Sequence, residues 1–355
     1  MSERKLRAGV NGFGRIGRCL FRALYERDSS RDFEISVINS PGSPRTLAHL
    51  LKYDSTYGTF PLDVEWRPDA IVCRGQRIPC INEADPSEVD WSAFDVDLVL
   101  ECSGRARERE ISEAHLASGA PRVLISAPSH DPDITLIPGC NLNAYNPSKH
   151  KIISMGSCTL NCLCPTLKVL ASNFAVESGF ATAIHSYTSD QRLLDGTHED
   201  LRRARAAGQS LIPTKTGASQ ALSSIFPELR GKIRCAAVRT PTSTVSLLDL
   251  VVHLDRDVSG QAVNDAFDRA SQNDLRGILA VSKDPLVSID YKKDPHSSTV
   301  DALSTATSGR LVRVLAWYDN EWAYSLRLID TALMISQTSK RESENISNLP
   351  GVQHK

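Results

Sequence analysis

The 355-residue chain carries 41 lysines and arginines against 42 aspartates and glutamates, a formal net charge of −1, and 41% of it is hydrophobic. That length and composition suit two globular domains or one large one, with a sizeable core that needs no disulfide staples. The near-neutral charge makes neither nucleic acid nor a membrane an expected partner, and no stretch approaches the roughly 18 apolar residues of a membrane span.

In chain order, Met1-Ser2-Glu3-Arg4-Lys5 leads into a short strand-like run and not into a signal-peptide core, so the expected location is cytoplasmic. Leu6 to Val10 reads as a buried strand. It runs into Gly12-Phe13-Gly14-Arg15-Ile16-Gly17 and then an amphipathic helix from Arg15 to Arg27. Glycines at that spacing between strand and helix allow a tight turn and let backbone approach a pyrophosphate, which the helix amino terminus attracts. A second strand, Glu34 to Asn39, ends at Ser40. An acidic residue there would bind the ribose 2′-OH of NAD and repel a 2′-phosphate. Ser40 is neutral, and no Asp or Glu follows before Asp54, so NADP meets no fixed negative charge. The plainer reading is that Ser40 closes a turn before Pro41-Gly42 while Asn39 contacts the ribose. Pro44 to Lys52 reads as helix, Asp63 to Asn82 as a hairpin-rich insertion, Val96 to Glu101 as strand, and Arg105 to Ser118 as helix. Arg122 to Ser126 and Ile152 to Ser154 continue the strands. This alternation implies an α/β, Rossmann-type domain with a mostly parallel sheet.

After Cys158 the pattern changes. Asn161 to Phe174 reads as helix and Phe180 to Tyr187 as strand. Thr188 to Pro213 is arginine-rich without hydrophobic periodicity, the mark of a long functional loop. Ala236 to Arg239, Val245 to Leu254 and Leu311 to Trp317 read as strands of a mostly antiparallel sheet in an α+β domain. Trp322 to Ser336 reads as a last helix, followed by a polar tail. The expected boundaries are a dinucleotide-binding domain at 1–157 with a returning helix at 321–337, a catalytic domain at 158–320, and a polar tail at 338–355. Nine cysteines, an odd count, cannot all pair within the chain. Cys158, Cys162 and Cys164 lie close together, but no further ligands stand at metal spacing, so no metal is expected. Cys158 and His185 form a candidate nucleophile and base. Beside a nicotinamide, a thiolate would add to an aldehyde and the adduct would give up its hydride.

Five motifs carry a resemblance: Asn11-Gly12-Phe13-Gly14-Arg15-Ile16-Gly17-Arg18, Ser157-Cys158-Thr159, His185-Ser186-Tyr187-Thr188, Asp200-Leu201-Arg202-Arg203-Ala204-Arg205 and Trp317-Tyr318-Asp319-Asn320-Glu321-Trp322. In register and in order, from about residue 6 to residue 336, the chain resembles the phosphorylating glyceraldehyde-3-phosphate dehydrogenase family. The resemblance implies a homotetramer acting on a phosphorylated aldehyde and inorganic phosphate with NAD or NADP. It implies Cys158 as nucleophile, activated at a helix amino terminus that lowers a thiol's pKa, with His185 as base. Thr188 and Arg239 would hold the substrate phosphate. Ser157, Thr159, Thr216, Gly217 and Arg203 would line the inorganic-phosphate site. Gly12, Arg15, Ile16, Ser103 and Ser126 would line the cofactor cleft, with Phe13, Gly14 and Gly17 on its turn and Ser40 at the end of the second strand, and Asn320 would bond the nicotinamide carboxamide.

Departures from the family pattern bear on the cofactor. Asn39-Ser40 stands for the usual Asn-Asp, and Asp195-Gly196-Thr197 for Asp-Leu-Pro. Both changes resemble NADP-using members, so NADP is expected to be accepted, with Gly196 and Thr197 near the adenosine ribose. Leu160 stands for a threonine, as a packing change. Erythrose-4-phosphate dehydrogenase, which Ala207-Gly208-Gln209-Ser210 resembles slightly, is the alternative enzyme. A non-catalytic binding role is the alternative of another class.

Overall fold

A computed structural model describes residues 4–27, 29–105 and 107–347. Of the expected polar tail, 348–355 lie outside the described residues, as do residues 1–3 of the leading segment. The chain forms two compact units. One comprises the chain up to Leu136, Asn141–Met155 and the segment from Ser325; the other comprises Ile137–Cys140 and Gly156–Tyr324.

The first unit holds a nine-stranded sheet. Its spatial order is Ile134–Thr135, Ile152–Ser154, Val123–Ile125, Leu98–Glu101, Leu6–Asn11, Phe33–Asn39, Gln76–Ile81, Ala70–Cys73 and Val64–Arg67. The first six pairings are parallel and the last two, the hairpins of the insertion, antiparallel. Apolar residues fill the central strands because both faces are covered. Leu6–Asn11 lies between Leu98–Glu101 and Phe33–Asn39, so connections leave it to either side and a crevice opens at the carboxyl ends of these three strands. Helix Arg15–Glu26 starts at that crevice and buries Cys19, Leu20, Phe21, Ala23 and Leu24. Helix Pro44–Lys52 begins where the sequence places it, because Ser43 Oγ accepts the Thr46 N–H and proline occupies the first turn. Helix Arg109–Ala117 starts later than the expected Arg105. Gly104 has φ +74°, and Ser103 Oγ accepts the Arg105 N–H, so that stretch is a turn.

The second unit holds a seven-stranded sheet in the order Ile212–Thr214, Ile233–Thr240, Val176–Ser186, Ser246–Leu254, Leu311–Tyr318, Ser298–Ser308 and Leu279–Ser282. Four of its six pairings are antiparallel. Helix Cys158–Phe174 packs on it, burying Leu163, Leu167 and Leu170. This helix begins three residues before the expected Asn161. Ser157 Oγ accepts the Leu160 N–H at 3.1 Å and caps the first turn. Residues 188–211 contain neither helix nor strand, while Pro213 belongs to strand Ile212–Thr214. Helices Ala218–Ile225 and Gly260–Gln272 and strands Leu279–Ser282 and Ser298–Ser308 complete the unit. The last helix, Trp322–Ser347, overruns its expected end at Ser336. The added segment is rich in Lys, Arg and Glu, good helix formers, and Lys340 Nζ donates to Arg4 O at 2.9 Å.

Candidate active site

Strand register builds the site. In the parallel pairing of Val176–Ser186 with Ile233–Thr240, His185 stands opposite Arg239. In the antiparallel pairing of Ser246–Leu254 with Leu311–Tyr318, Ser246 stands opposite Tyr318. These four strands are neighbours, so Arg239, His185, Ser246 and Tyr318 share one end of the sheet. Cys158, at the first position of its helix, joins them: its Sγ lies 3.3 Å from His185 Nε2. Thr159 Oγ1 lies 3.0 Å from Tyr318 Oη, and the Tyr318 ring meets the imidazole edge to face, with centroids 6.1 Å apart.

His185 Nδ1 faces an acceptor, Ser186 O at 2.7 Å, and a donor, Arg239 Nη1 at 2.9 Å. With its proton on Nδ1, the ring donates to Ser186 O and leaves Nε2 bare toward the thiol, the tautomer a general base requires. Burial pushes the His185 imidazole down to about 3, and the Arg239 charge adds to that. Burial also pushes the Cys158 thiol up to about 11, against the opposing pull of Arg239 and Thr159. Desolvation therefore opposes the helix amino terminus and Arg239 at the thiol, and it favours the uncharged form of both groups.

Arg239 is itself largely buried, which lowers its pKa. Its Nη1 also donates to Ser186 O at 3.1 Å, while its Nε is buried without a hydrogen-bond partner among the described residues. A buried guanidinium with an unused donor suits an anion. Arg203 lies close enough to depress both His185 and Arg239. It is already engaged, paired with Asp190 and donating from Nε to Thr214 Oγ1 at 2.8 Å. Thr188, Thr216 and Gly217 make only local contacts: the Thr188 N–H meets Gln191 Oε1, Thr216 Oγ1 accepts the Ala218 N–H, and Gly217 caps helix Ala218–Ile225. Asn320 is buried, and its Oδ1 accepts from Ser246 Oγ at 3.0 Å. Sequence reasoning passed over Ser246 because its role depends on which strands are neighbours. Leu160 lies fully buried in the core, its Cδ2 filling the space that a Cβ on Gly156 would need, so its place in the pattern is that of a packing residue.

In the first unit each glycine of the turn has its own reason. Gly12 has φ +93°, and a Cβ there would come within 2.5 Å of Ser103 N; one at Gly17 would come within 2.5 Å of Gly12 O; one at Gly14 would enter open space. A tight turn, close helix–strand packing and a clear approach above Gly14 are what a bound pyrophosphate requires. Arg15 pairs with Asp54 and its guanidinium lies over the Tyr57 ring. Ile16 is half-buried and Ser103 exposed at the cleft. Ser126 N–H bonds Glu101 O at 2.9 Å. Ser40 Oγ accepts the Phe13 N–H at 3.1 Å, so the serine is part of the turn. Gly196 and Thr197 lie exposed in the loop of the second unit, where Thr197 O accepts from Arg192 Nε.

A Rossmann-type unit and a unit presenting a thiol to an imidazole define the class, a nicotinamide-dependent oxidoreductase. The model of the glyceraldehyde 3-phosphate dehydrogenase NAD-binding domain matches residues 6–109, and that of the family's C-terminal domain matches 157–320. Glyceraldehyde-3-phosphate dehydrogenase 1 of Bacillus cereus is 48% identical over 325 residues, covering 91% of this chain and 96% of that protein. The Geobacillus stearothermophilus glyceraldehyde-3-phosphate dehydrogenase is 46% identical over 93% of this chain and 98% of its own. Glyceraldehyde-3-phosphate dehydrogenase 2 of Bacillus subtilis is 43% identical over 96% and 99%. The chain belongs to the glyceraldehyde-3-phosphate dehydrogenase family. Among the described residues no helix is long and apolar enough to cross a membrane.

Proposed function

We propose that the chain catalyses reversible oxidative phosphorylation of glyceraldehyde 3-phosphate to 1,3-bisphosphoglycerate, with Cys158 as nucleophile and His185 as general base. The observation that carries this reading is the 3.3 Å approach of Cys158 Sγ to His185 Nε2. As the sulfur bonds to the aldehyde carbon, its proton passes to Nε2 and on to the former carbonyl oxygen, which becomes the hydroxyl of a hemithioacetal and leaves His185 neutral. Nδ1–H, held on Ser186 O, keeps the ring aligned while it carries charge. The bound dinucleotide, cradled by Gly12, Gly14 and Gly17, supplies a hydride acceptor. His185 takes the hydroxyl proton as the carbon is oxidised, leaving a thioester on Cys158. Phosphate oxygen then attacks the thioester carbon, the C–S bond breaks, and the sulfur regains a proton from His185.

The buried Nε of Arg239, unused among the described residues, supports a phosphate-binding role, and Thr188 is assigned with it to the substrate phosphate. Ser157, Thr159, Arg203, Thr216 and Gly217 are assigned to the attacking phosphate. Asn320, with Oδ1 already engaged by Ser246, offers its amide N–H to the nicotinamide carboxamide. Both NAD and NADP are expected to serve, because Ser40 adds no negative charge at the end of its strand. Ser103 and Ser126 are assigned to the cleft, and the small residues Gly196 and Thr197 belong with the NADP-accepting reading. A cytoplasmic homotetramer is part of this reading.

The test is the initial rate with glyceraldehyde 3-phosphate and phosphate, with NAD and NADP compared at equal concentration, in wild type and Cys158→Ser. Phosphate-dependent reduction that Cys158→Ser abolishes is expected. Near-wild-type oxidation by Cys158→Ser, or equal rates without phosphate, would overturn the mechanism.

A further inference from the structure

A carboxylate lies buried beneath the glycine turn. Glu101 ends strand Leu98–Glu101 and is 1% exposed. Its Oε1 accepts the Ser103 N–H at 2.7 Å and the Ser103 hydroxyl; its Oε2 accepts the Asn11 amide and His115 Nε2 at 3.1 Å. The histidine's role is fixed from behind. Trp91 Nε1, which can only donate, lies 3.1 Å from His115 Nδ1, so the ring's proton is on Nε2 and points at Glu101. All four contacts are donors, and the ionised carboxylate is the form that only accepts. The network continues forward. Asn11 Oδ1 accepts from Asn39 Nδ2 at 2.8 Å, and Asn39 Oδ1 accepts the Glu83 N–H at 2.8 Å.

The members of this network occupy the carboxyl ends of three adjacent strands. Asn11 closes the first strand and Asn39 its neighbour, Glu101 closes the strand on the other side, and Ser103 follows two residues later. Those ends form the crevice that receives a dinucleotide in this sheet topology. Gly12 packs so tightly on Ser103 that a Cβ would not fit. The spacing between turn and Ser103 therefore depends on the carboxylate that holds Ser103 from below. Phe13 N–H is held from the other side by Ser40 Oγ.

Resting on the dinucleotide-binding reading above, we propose that Glu101 is a positioning residue which, through Asn11 and Ser103, sets the cofactor cleft in its binding geometry before the nucleotide arrives. A ligand then spends less of its binding free energy on ordering the turn. Glu101→Gln is nearly isosteric but replaces one acceptor by a donor, which must face Asn11, His115 or Ser103, all donors themselves. Adding Asn11→Asp restores an acceptor opposite the new amide while still accepting from Asn39; His115 Nε2–H still faces that amide, so the recovery is partial.

The test measures NAD dissociation constants by titrating the cofactor-free full chain, with melting temperature and the rate of Cys158 alkylation as controls. Glu101→Gln is expected to weaken NAD by about tenfold or more, with the double variant recovering at least about threefold, and with Cys158 alkylation unchanged in both. Binding by Glu101→Gln within about twofold of wild type would overturn the proposal, as would a double variant no better than the single one. A second measurement needs no variant. In the cofactor-free wild type, the Ser103 and Phe13 amides should exchange hydrogen slowly, like the sheet they join; exchange at the rate of open loops would overturn the proposal even if Glu101→Gln failed to fold. Wild-type protein that bound neither NAD nor NADP would instead remove the dinucleotide reading itself.

Discussion

Arg239 governs the charge of the catalytic pair. Its Nη1 lies 2.9 Å from His185 Nδ1, and with burial it holds the imidazole at about 3. Two unit charges about 4 Å apart at an effective dielectric constant near 20 interact by roughly 4 kcal/mol, or about three pH units. Arg239→Met removes the charge and keeps most of the bulk. Losing a cation raises the pKa of every group that felt it. The imidazole should therefore rise by about one to three pH units, less than the full depression because burial remains. The thiol, already pushed up to about 11, should rise further. Nitrogen-15 histidine labelling, with His185 assigned by its loss in His185→Asn, reads the first change; alkylation of Cys158 in mild base reads the second and should slow. A wild-type His185 that titrates near 6.5 or above, as the partner of a thiolate would, refutes the neutral pair. So does an Arg239→Met variant whose imidazole titrates lower than in wild type. The same depression has a stability consequence. The unfolded chain protonates His185 first, so the folded state loses stability as pH falls from about 6.5 toward about 3, by on the order of 5 kcal/mol over that window. His185→Asn should flatten this acid dependence in denaturant titrations.

Leu160→Ala empties a fully buried site in the core of the second unit. It should cost about 2–5 kcal/mol and lower the melting temperature by about 5–15 °C; a loss well under 1 kcal/mol in a denaturant titration would show that the site collapses freely. Ser40→Asp keeps an acceptor for the Phe13 N–H but places a fixed charge at the strand end. The ratio of kcat/KM for NADP to that for NAD should fall by about tenfold or more; an unchanged ratio would mean the 2′-position is set elsewhere. Gly12→Ala, which must relieve a 2.5 Å contact at Ser103, should abolish saturable NAD binding in equilibrium titration, and retained affinity would count against the turn as the pyrophosphate cradle.

What the sequence revealed of this molecule follows the range of the interactions. The glycine turn is legible because strand, turn and helix are contiguous and each glycine answers a local need. Ser157 as a cap is local too, yet hydrophobic periodicity begins one turn after it, so periodicity alone starts the helix at Asn161. The overrun of the last helix past Ser336 was missed for the opposite reason: its polar residues favour helix by propensity but carry no buried stripe. Cys158 and His185 stand out as a candidate pair by residue type, but 27 residues separate them and only the fold brings Sγ to Nε2.

Arg239 and Asn320 are legible as site residues, but their contacts with His185 and Ser246 are not. Arg239 reaches His185 through parallel register, and Ser246 reaches Asn320 through a strand neighbour fixed only when the sheet assembles. Glu101 and His115 are harder still, since a carboxylate at a strand end and a histidine in a helix each read as ordinary surface positions. Burial is what changes their meaning. A carboxylate surrounded by donors and closed from water costs folding free energy unless every lone pair is used, and Glu101 uses its oxygens on the residues that shape the cofactor crevice. His185 likewise becomes an unusually weak base because Arg239 and the sheet leave it no water. The same desolvation that disfavours a thiolate should strengthen each electrostatic contact once a phosphate fills the space beside Arg239, so the pull toward neutral groups and the strength of the charged contacts have one physical cause.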